Sequence, residues 1–362
     1  MRRLKVCNLL LLFILLVVSS ICSVVNVVAV DTVSETILNA SFEEGKETNS
    51  FGTKYYTPTN WSAKSFSSFH LETAIVNDGQ KSIRIGSVGN GFFFNTSNKF
   101  AVDGDSLYEI GLMAYSKTAN DTVFGIELVT FDDNGDEVET FSVSDILVDV
   151  ANEWKKVSVL VGTNSVAKSA SVAFYVVSGS GCYIDNVFIQ EKNVVTTNVG
   201  ASIRISQETP GIRFVGSVDK TVYDDFVNRF SSVNAGILII PKVYYDIVPE
   251  FTFFEIDRAG LPFLDIKADK WNNNDTASED GFYGFNCAMV NIKPANVVQK
   301  FCARSYLRYF ENGVEKFVYS DFSLGNNMRS VQEVAQTELN NNGNSYCLED
   351  KEVLQYFANG GK

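Results

Sequence analysis

The sequence predicts a mainly β protein, an N-terminal β-sandwich jelly roll followed by a separate α+β domain. Three observations carry this expectation. From about Ile37 to Gln190, short β-rich runs are cut by turn signals and no run has helical periodicity. Beyond residue 200, helical patterns begin to alternate with strands. At 362 residues the chain is long enough for two domains, each burying its own core.

Residues 1–29 come first, with a basic start (Arg2, Arg3, Lys5), a long apolar run and Val27-Val28-Ala29 just ahead of Asp31. This pattern reads as a secretory signal peptide. The rival reading is an uncleaved signal-anchor, since roughly 20 apolar residues suffice to cross a bilayer. The residues before Cys22 fit a lipoprotein site poorly. A secreted or cell-surface protein is expected, touching a membrane only through an uncleaved leader. The chain has 30 basic and 43 acidic residues, a formal charge of −13, and cleavage of the leader would leave −16. Such acidity argues against nucleic acid as a partner and is indifferent to neutral polysaccharide.

Residues 30–192 form the expected jelly roll. Runs such as "QKSIRIGSV", "LYEIGLMAYS", "EWKKVSVLVG", "ASVAFYVVSG" and "CYIDNVFIQE" read as short strands, and Asn134-Gly135 as a hairpin turn. "DDNGDE" (Asp132 to Glu137) lacks the spacing of a calcium loop and reads as the tip of that hairpin. Residues 193–199 read as a connector, and 200–362 as the α+β domain. There "ASIRI" and "IRFVGSV" form a hairpin, with Arg204 and Arg213 expected opposite each other as a structural ion-pair site. "KTVYDDFVNRFSS" places Val222, Phe226, Val227 and Phe230 on one helix face. "AGILIIP" is a buried strand, Asn312-Gly313 turns a second hairpin, and Ser330 with Glu333 makes a capping box. Two of the six cysteines lie in the leader, and one disulfide within the C-terminal half, among Cys287, Cys302 and Cys347, is compatible with the rest.

In the first domain "ILNASFEEG", Asn60-Trp61, "DGQKSIRI", "FAVDGDSLYEIGLMAYSK", "EWKKVSVLV" and "GCYIDNVFIQE" follow one another in a familiar order. Over residues 36–191 this set resembles the CenC-type carbohydrate-binding modules (families four, nine and twenty-two), whose fold is a galactose-binding-like jelly roll. The resemblance implies a structural calcium (Ca2+) site, falling on Glu43, Asp78, Lys81 through its backbone carbonyl, and Asp185. Asn186 stands where the family usually has a second aspartate. Carboxylates converging from distant segments would suit a cation that takes six to eight oxygens. The competing reading makes Glu43 and Asp185 rim carboxylates hydrogen-bonded to turns.

Sugars offer flat C–H faces, so a binding face needs exposed rings beside carboxylate, amide or hydroxyl groups. Strand parity sends Phe92 and Phe94 inward and leaves Phe93 and Asn95 outward in "FFFNTS". The same argument leaves Glu127, Tyr115 and Tyr175 outside, and the outer face expected to bind polysaccharide comprises Phe93, Asn95, Tyr115, Glu127 and Tyr175. Trp61 is a further ligand candidate that would cap the cleft, or else packs into the fold. Asn39, Asn60, Asn95, Asn120 and Asn274 each begin a glycosylation sequon.

"GASIRISQETPGIRFVGSV" and "CARSYLRYF…SVQEVAQ" resemble an uncharacterised domain of exported proteins from Gram-positive anaerobes (Firmicutes). His70 is the only histidine and lies in the first domain, so no histidine-based triad fits the second. Glu255 and Asp257 could imitate a glycosidase pair if "FFEIDRAG" were a strand. The expectation is therefore no enzyme, but an exported protein binding polysaccharide of β-glucan or xylan type. The alternatives are a surface adhesion or scaffold protein, with a cell-wall or surface-protein partner bound through 200–362, and an accessory part of a glycoside-hydrolase system with cryptic hydrolase activity.

Overall fold

Alternation of apolar and polar side chains folds the first region into two sheets facing one another across a core. The computed structural model describes residues 37–362 apart from 51–52, 64–68, 86–93, 97–98, 207 and 273–276. Its first strands are β1 (Gly45–Ser50), β2 (Thr53–Pro58), β3 (Trp61–Ala63), β4 (Phe69–Glu72), β5 (Ser82–Ile85), β6 (Phe94–Thr96) and β7 (Phe100–Ala101). The long strands β8 (Leu107–Tyr115), β9 (Val123–Phe131), β10 (Glu137–Leu147), β11 (Trp154–Gly162), β12 (Ser169–Ser178) and β13 (Cys182–Glu191) follow. One sheet runs β10-β9-β12-β6-β3 with β7 beside β12, the other β11-β8-β13-β5-β4, and β1-β2 form a separate ribbon.

Parity sorts the core as the sequence indicates. Tyr108, Ile110, Leu112 and Ala114 of β8, Phe124, Ile126 and Leu128 of β9, and Val172, Phe174 and Val176 of β12 are all buried in one cluster. The Asn134-Gly135 tip is a tight turn in which Gly135 adopts φ +82° and Asp132 Oδ1 accepts from the amides of Asn134 and Asp136.

The second region is α+β. Its strands are β14 (Val195–Thr197), β15 (Ser202–Arg204), β16 (Gly211–Asp219), β17 (Ser231–Pro241), β18 (Leu264–Lys267), β19 (Phe282–Val290), β20 (Lys300–Glu311), β21 (Val314–Tyr319) and β22 (Met328–Ser330). They make one sheet in order β14-β16-β15 with β19 on β16, and another in order β18-β17-β20-β21 with β22 on β20. The helices are α1 (Lys220–Arg229), α2 (Lys242–Tyr245), α3 (Phe253–Arg258), α4 (Leu324–Asn327), α5 (Val331–Asn342) and α6 (Leu348–Ala358). The expected connector thus carries β14, with Val194 and Val195 buried in the second core. Asn312 and Gly313 both take positive φ, 52° and 82°, as a two-residue hairpin turn requires. Ser330 and Glu333 close the expected capping box at α5.

Several local expectations are corrected. In α1 Val222 and Phe226 are buried but Val227 is exposed, because the inward stripe follows i, i+4 rather than i+5. Arg204 pairs with Gly211 and Arg213 with Ser202, so the two arginines are not opposite one another. Arg204 instead donates to the carbonyl and hydroxyl of Thr209. All four cysteines of the described residues are free thiols, with Cys182, Cys287 and Cys302 buried and Cys347 exposed.

The two regions meet at a seam. Leu107 and Leu160, from the outer face of the β11-β8 pair, join the second region's core beside Phe226 and Tyr309. At Gly162 a Cβ would collide with the Tyr309 hydroxyl, so the close approach requires glycine there. The Lys316 ammonium, 1% exposed, lies 2.8 Å from Glu139 Oε1 and 2.7 Å from Glu311 Oε2. It also donates to the Gly162 carbonyl at 3.0 Å. Beside the seam Asp105 is buried, and desolvation holds its carboxyl up at about 7, outweighing the Arg304 guanidinium that pulls it down.

Two outcomes follow from the seam's charges. Lys316→Met leaves the buried Glu311 carboxylate uncompensated and should cost about 3–5 kcal/mol in urea unfolding; a loss below about 1 kcal/mol would contradict the seam's role. Because the folded chain holds the Asp105 proton more tightly than the unfolded chain, that contribution is whole below about pH 4 and lost as pH rises through about 7. The stability of Asp105→Asn relative to wild type should therefore climb across that window by up to about 4 kcal/mol. A flat difference between the two urea profiles would refute the assignment.

Candidate functional site

The outer face of the β10-β9-β12 sheet is set by residues that alternate with the core. Register aligns Ser142 of β10, Glu127 of β9, Ala173 of β12, Asn95 of β6 and Ser62 of β3 in a single cross-strand row. In the adjacent row Tyr175 faces Gly125. The Tyr175 ring lies over Gly125, where a Cβ would run into it. The phenol oxygen sits 3.0 Å from Ser142 Oγ, which fixes the ring across the strand from the carboxylate row. Glu127 is half-buried, and among the described residues no hydrogen bond or ion pair engages its carboxylate. The face therefore gathers a ring, hydroxyls and an acceptor-only carboxylate, the set that can stack a sugar face and accept from its hydroxyls.

The expected residues divide on inspection. Glu127 and Tyr175 lie on this face, and Asn95 occupies the same register row as Glu127. Phe93 lies outside the described residues. Tyr115 points outward as parity requires, but it sits on β8 of the opposite sheet and cannot share a face with Glu127 and Tyr175. Trp61 is not a ligand residue on this surface. It is 3% exposed, its ring centroid lies 5.1 Å from that of Phe42, and its Nε1 donates to the Asn39 carbonyl at 3.0 Å. Sequence reading passed over Gly125 and Ser142. The signal for Gly125 was present, since a glycine inside a strand marks a close approach by a neighbour.

Glu43 and Asp185 bracket the loop 77–81 from two sides. Glu43 Oε1 accepts from the amides of Gln80 at 2.7 Å and Lys81 at 2.9 Å. Asp185 Oδ2 accepts from Asn77 and Asp78 at 3.0 and 3.2 Å, and Oδ1 from Asn186 at 2.8 Å. Gly79 has φ +68°, and a Cβ there would strike Glu43 Oε1, so the loop closes onto the carboxylate only with glycine. The Lys81 ammonium donates to the Glu43 carbonyl. Burial pushes the Asp185 carboxyl up to about 6 despite its backbone hydrogen bonds, and the Glu43 charge adds to the rise. Asp78 turns to the Gly79 amide, and among the described residues no three His, Cys, Asp or Glu side chains gather within reach of one metal ion.

The supposed acid pair of the second region is not on a strand. Glu255 and Asp257 lie in α3, which starts where Thr252 Oγ1 accepts from the Glu255 amide. Glu255 pairs with Arg258 at 2.6 Å, and Asp257 points to solvent. His70 is exposed on β4.

No protein family matches the sequence, and no curated protein matches it. Among solved structures, the enzymatically active domain of bacteriophage CBA120 tailspike protein 4 is similar over 43% of this chain and 21% of that one, at 17% identity and a TM-score of 0.32. A family 16 carbohydrate-binding module is similar over 43% of this chain and 99% of its own length, at 15% identity and a TM-score of 0.31. The CBM22-1 xylan-binding domain of Paenibacillus barcinonensis Xyn10C is similar over 42% and 91%, at 16% identity and a TM-score of 0.30. At such identities and scores the function rests on the chain's own geometry.

Proposed function

We propose that this is an exported, non-catalytic carbohydrate-binding protein whose β10-β9-β12 outer face takes a neutral polysaccharide of β-glucan or xylan type. The observation that carries the reading is the Tyr175 ring laid over Gly125 and tied to Ser142, one row from the Glu127 carboxylate, which no described residue engages. The ring stacks on a sugar C–H face, Glu127 accepts from ring hydroxyls, and Ser142 holds the phenol in place. Asn95 holds the next register position beyond Ala173, and Phe93 precedes it by two residues. The leader at 1–29 supports export to the cell surface or beyond, and we take 30–192 and 200–362 as the domains, with the 193–199 segment between them built into the second as β14.

A structural calcium ion is part of the same proposal. Glu43 and Asp185, with backbone carbonyls that include Lys81, would hold it. Burial, with the Glu43 charge adding to it, raises the Asp185 carboxyl, and a cation beside the two carboxylates would offset both effects. When bound, the ion would cross-link the first described turn to the loop 77–81 and to β13.

Affinity electrophoresis of the whole chain through soluble xylan and mixed-linkage glucan tests the binding face. Wild type should be retarded by at least one of them without releasing reducing sugar. Tyr175→Ala should weaken retention about tenfold, the loss of a stacked ring being worth ~1.4 kcal/mol, and Glu127→Gln should weaken it severalfold. Equal retention of all three proteins would refute the site. For the ion, melting with added calcium should exceed melting in EDTA by several degrees; identical curves would remove calcium from the account.

A further inference from the structure

The opposite sheet carries a second row on its own outer face. Register aligns Trp154 of β11, Tyr115 of β8, Tyr183 of β13, Arg84 of β5 and His70 of β4, one residue from each of the five strands. Their sequence neighbours Ala114 and Ile184 are in the core, so the row faces away from it. Trp154 and Tyr115 have ring centroids 5.6 Å apart, and Tyr115 meets Tyr183 edge-on at 5.8 Å. Both Trp154 and Tyr115 are half-buried, Tyr183 is largely covered, and Arg84 and His70 are exposed. Lys117 places its ammonium 5.6 Å from the centre of the Tyr183 ring.

The charge in this row runs against the chain as a whole. The protein carries −13, yet next to the three rings the row holds an arginine that no carboxylate pairs with among the described residues, and it is flanked by a lysine. With centroids 5.6 Å apart and planes tilted by 53°, the Trp154 and Tyr115 rings can contact successive units of an extended, twisted chain. The hydroxyls of a neutral glycan would accept from the guanidinium only through single hydrogen bonds to uncharged oxygens. A carboxylate matches its two-pronged donor geometry. Single-stranded nucleic acid would also stack, but its phosphates need several cations along the strand, which an acidic chain with one arginine and one lysine here does not supply.

We propose that this row is a second binding site, for an acidic polysaccharide built of uronic acid units. Trp154 and Tyr115 stack on sugar faces, Arg84 takes a carboxylate, and Lys117 adds positive charge beside Tyr183. The proposal stands apart from the neutral-glycan face, which lies on the other sheet, and each can fail without the other.

The test is affinity electrophoresis of the whole chain through sodium polygalacturonate, with neutral xylan as the comparison gel. Wild type should be retarded by polygalacturonate, less so as salt rises. Arg84→Gln, an exposed change, and Trp154→Ala should each weaken retention about tenfold, one charge-assisted hydrogen bond or stacked ring being worth that much. Tyr175→Ala should leave it unaltered. If Trp154→Ala melts early, Arg84→Gln and Arg84→Lys carry the test alone, the lysine restoring charge but only part of the affinity. Absence of retardation by polygalacturonate, retention unaffected by Arg84→Gln, or tighter binding to a single-stranded oligodeoxynucleotide would each overturn the proposal.

Discussion

Each sheet of a sandwich can bury only one face, and the period-two alternation of strand side chains decides which residues that face receives. Here the inward sets of β8, β9, β12 and β13 close into one core around Phe124, Phe174, Ile184 and Trp61. Every other residue of those strands is thereby turned outward. Both candidate binding surfaces are consequences of this constraint. The Tyr175 and Glu127 face exists because Phe174 and Ile126 are buried, and the Trp154 to His70 row exists because Ala114 and Ile184 are.

The second region uses one of those outward faces without covering all of it. Strand β8 enters the seam at Leu107 and ends at Tyr115, eight residues or roughly 27 Å further on. The apolar end, with Leu107 and Leu160, packs into the second core, while the middle is salt-bridged, Glu109 meeting Lys156 and Lys192 at 2.8 and 3.0 Å. Those cations hold the Glu109 carboxyl down at about 2 against the cost of its partial burial. The aromatic end stays clear of the seam. At the seam itself, the buried Lys316 ammonium is met from both regions, by Glu139 and the Gly162 carbonyl on one side and by Glu311 on the other.

What was legible in the sequence was local. Parity sorted inward from outward residues, Asn312-Gly313 announced its turn, and Ser330 with Glu333 announced a helix start, because each depends on a few neighbouring residues. Pairing between distant strands was not legible. Tyr115 and Tyr175 read alike along the chain, yet β8 pairs with β11 and β13 whereas β9 and β12 pair with each other, which puts the two tyrosines on opposite sheets. Trp61 was ambiguous for the same reason, since its burial depends on Phe42 and Phe174 arriving from elsewhere. Lys316 gave no hint of burial within "VEKFVY", because its partners Glu139 and Gly162 come from the other region. In "FFEIDR" the two acids suggested a strand face, but Thr252 caps a helix there.

The central claim is that the β10-β9-β12 face binds a neutral glycan through Tyr175 and Glu127. A crystal structure of the protein soaked with a β-1,4-linked xylo-oligosaccharide tests it most directly. The account predicts a sugar ring stacked on Tyr175 with a hydroxyl donating to Glu127. Sugar density only at another surface, or an empty face at saturating oligosaccharide, would contradict it.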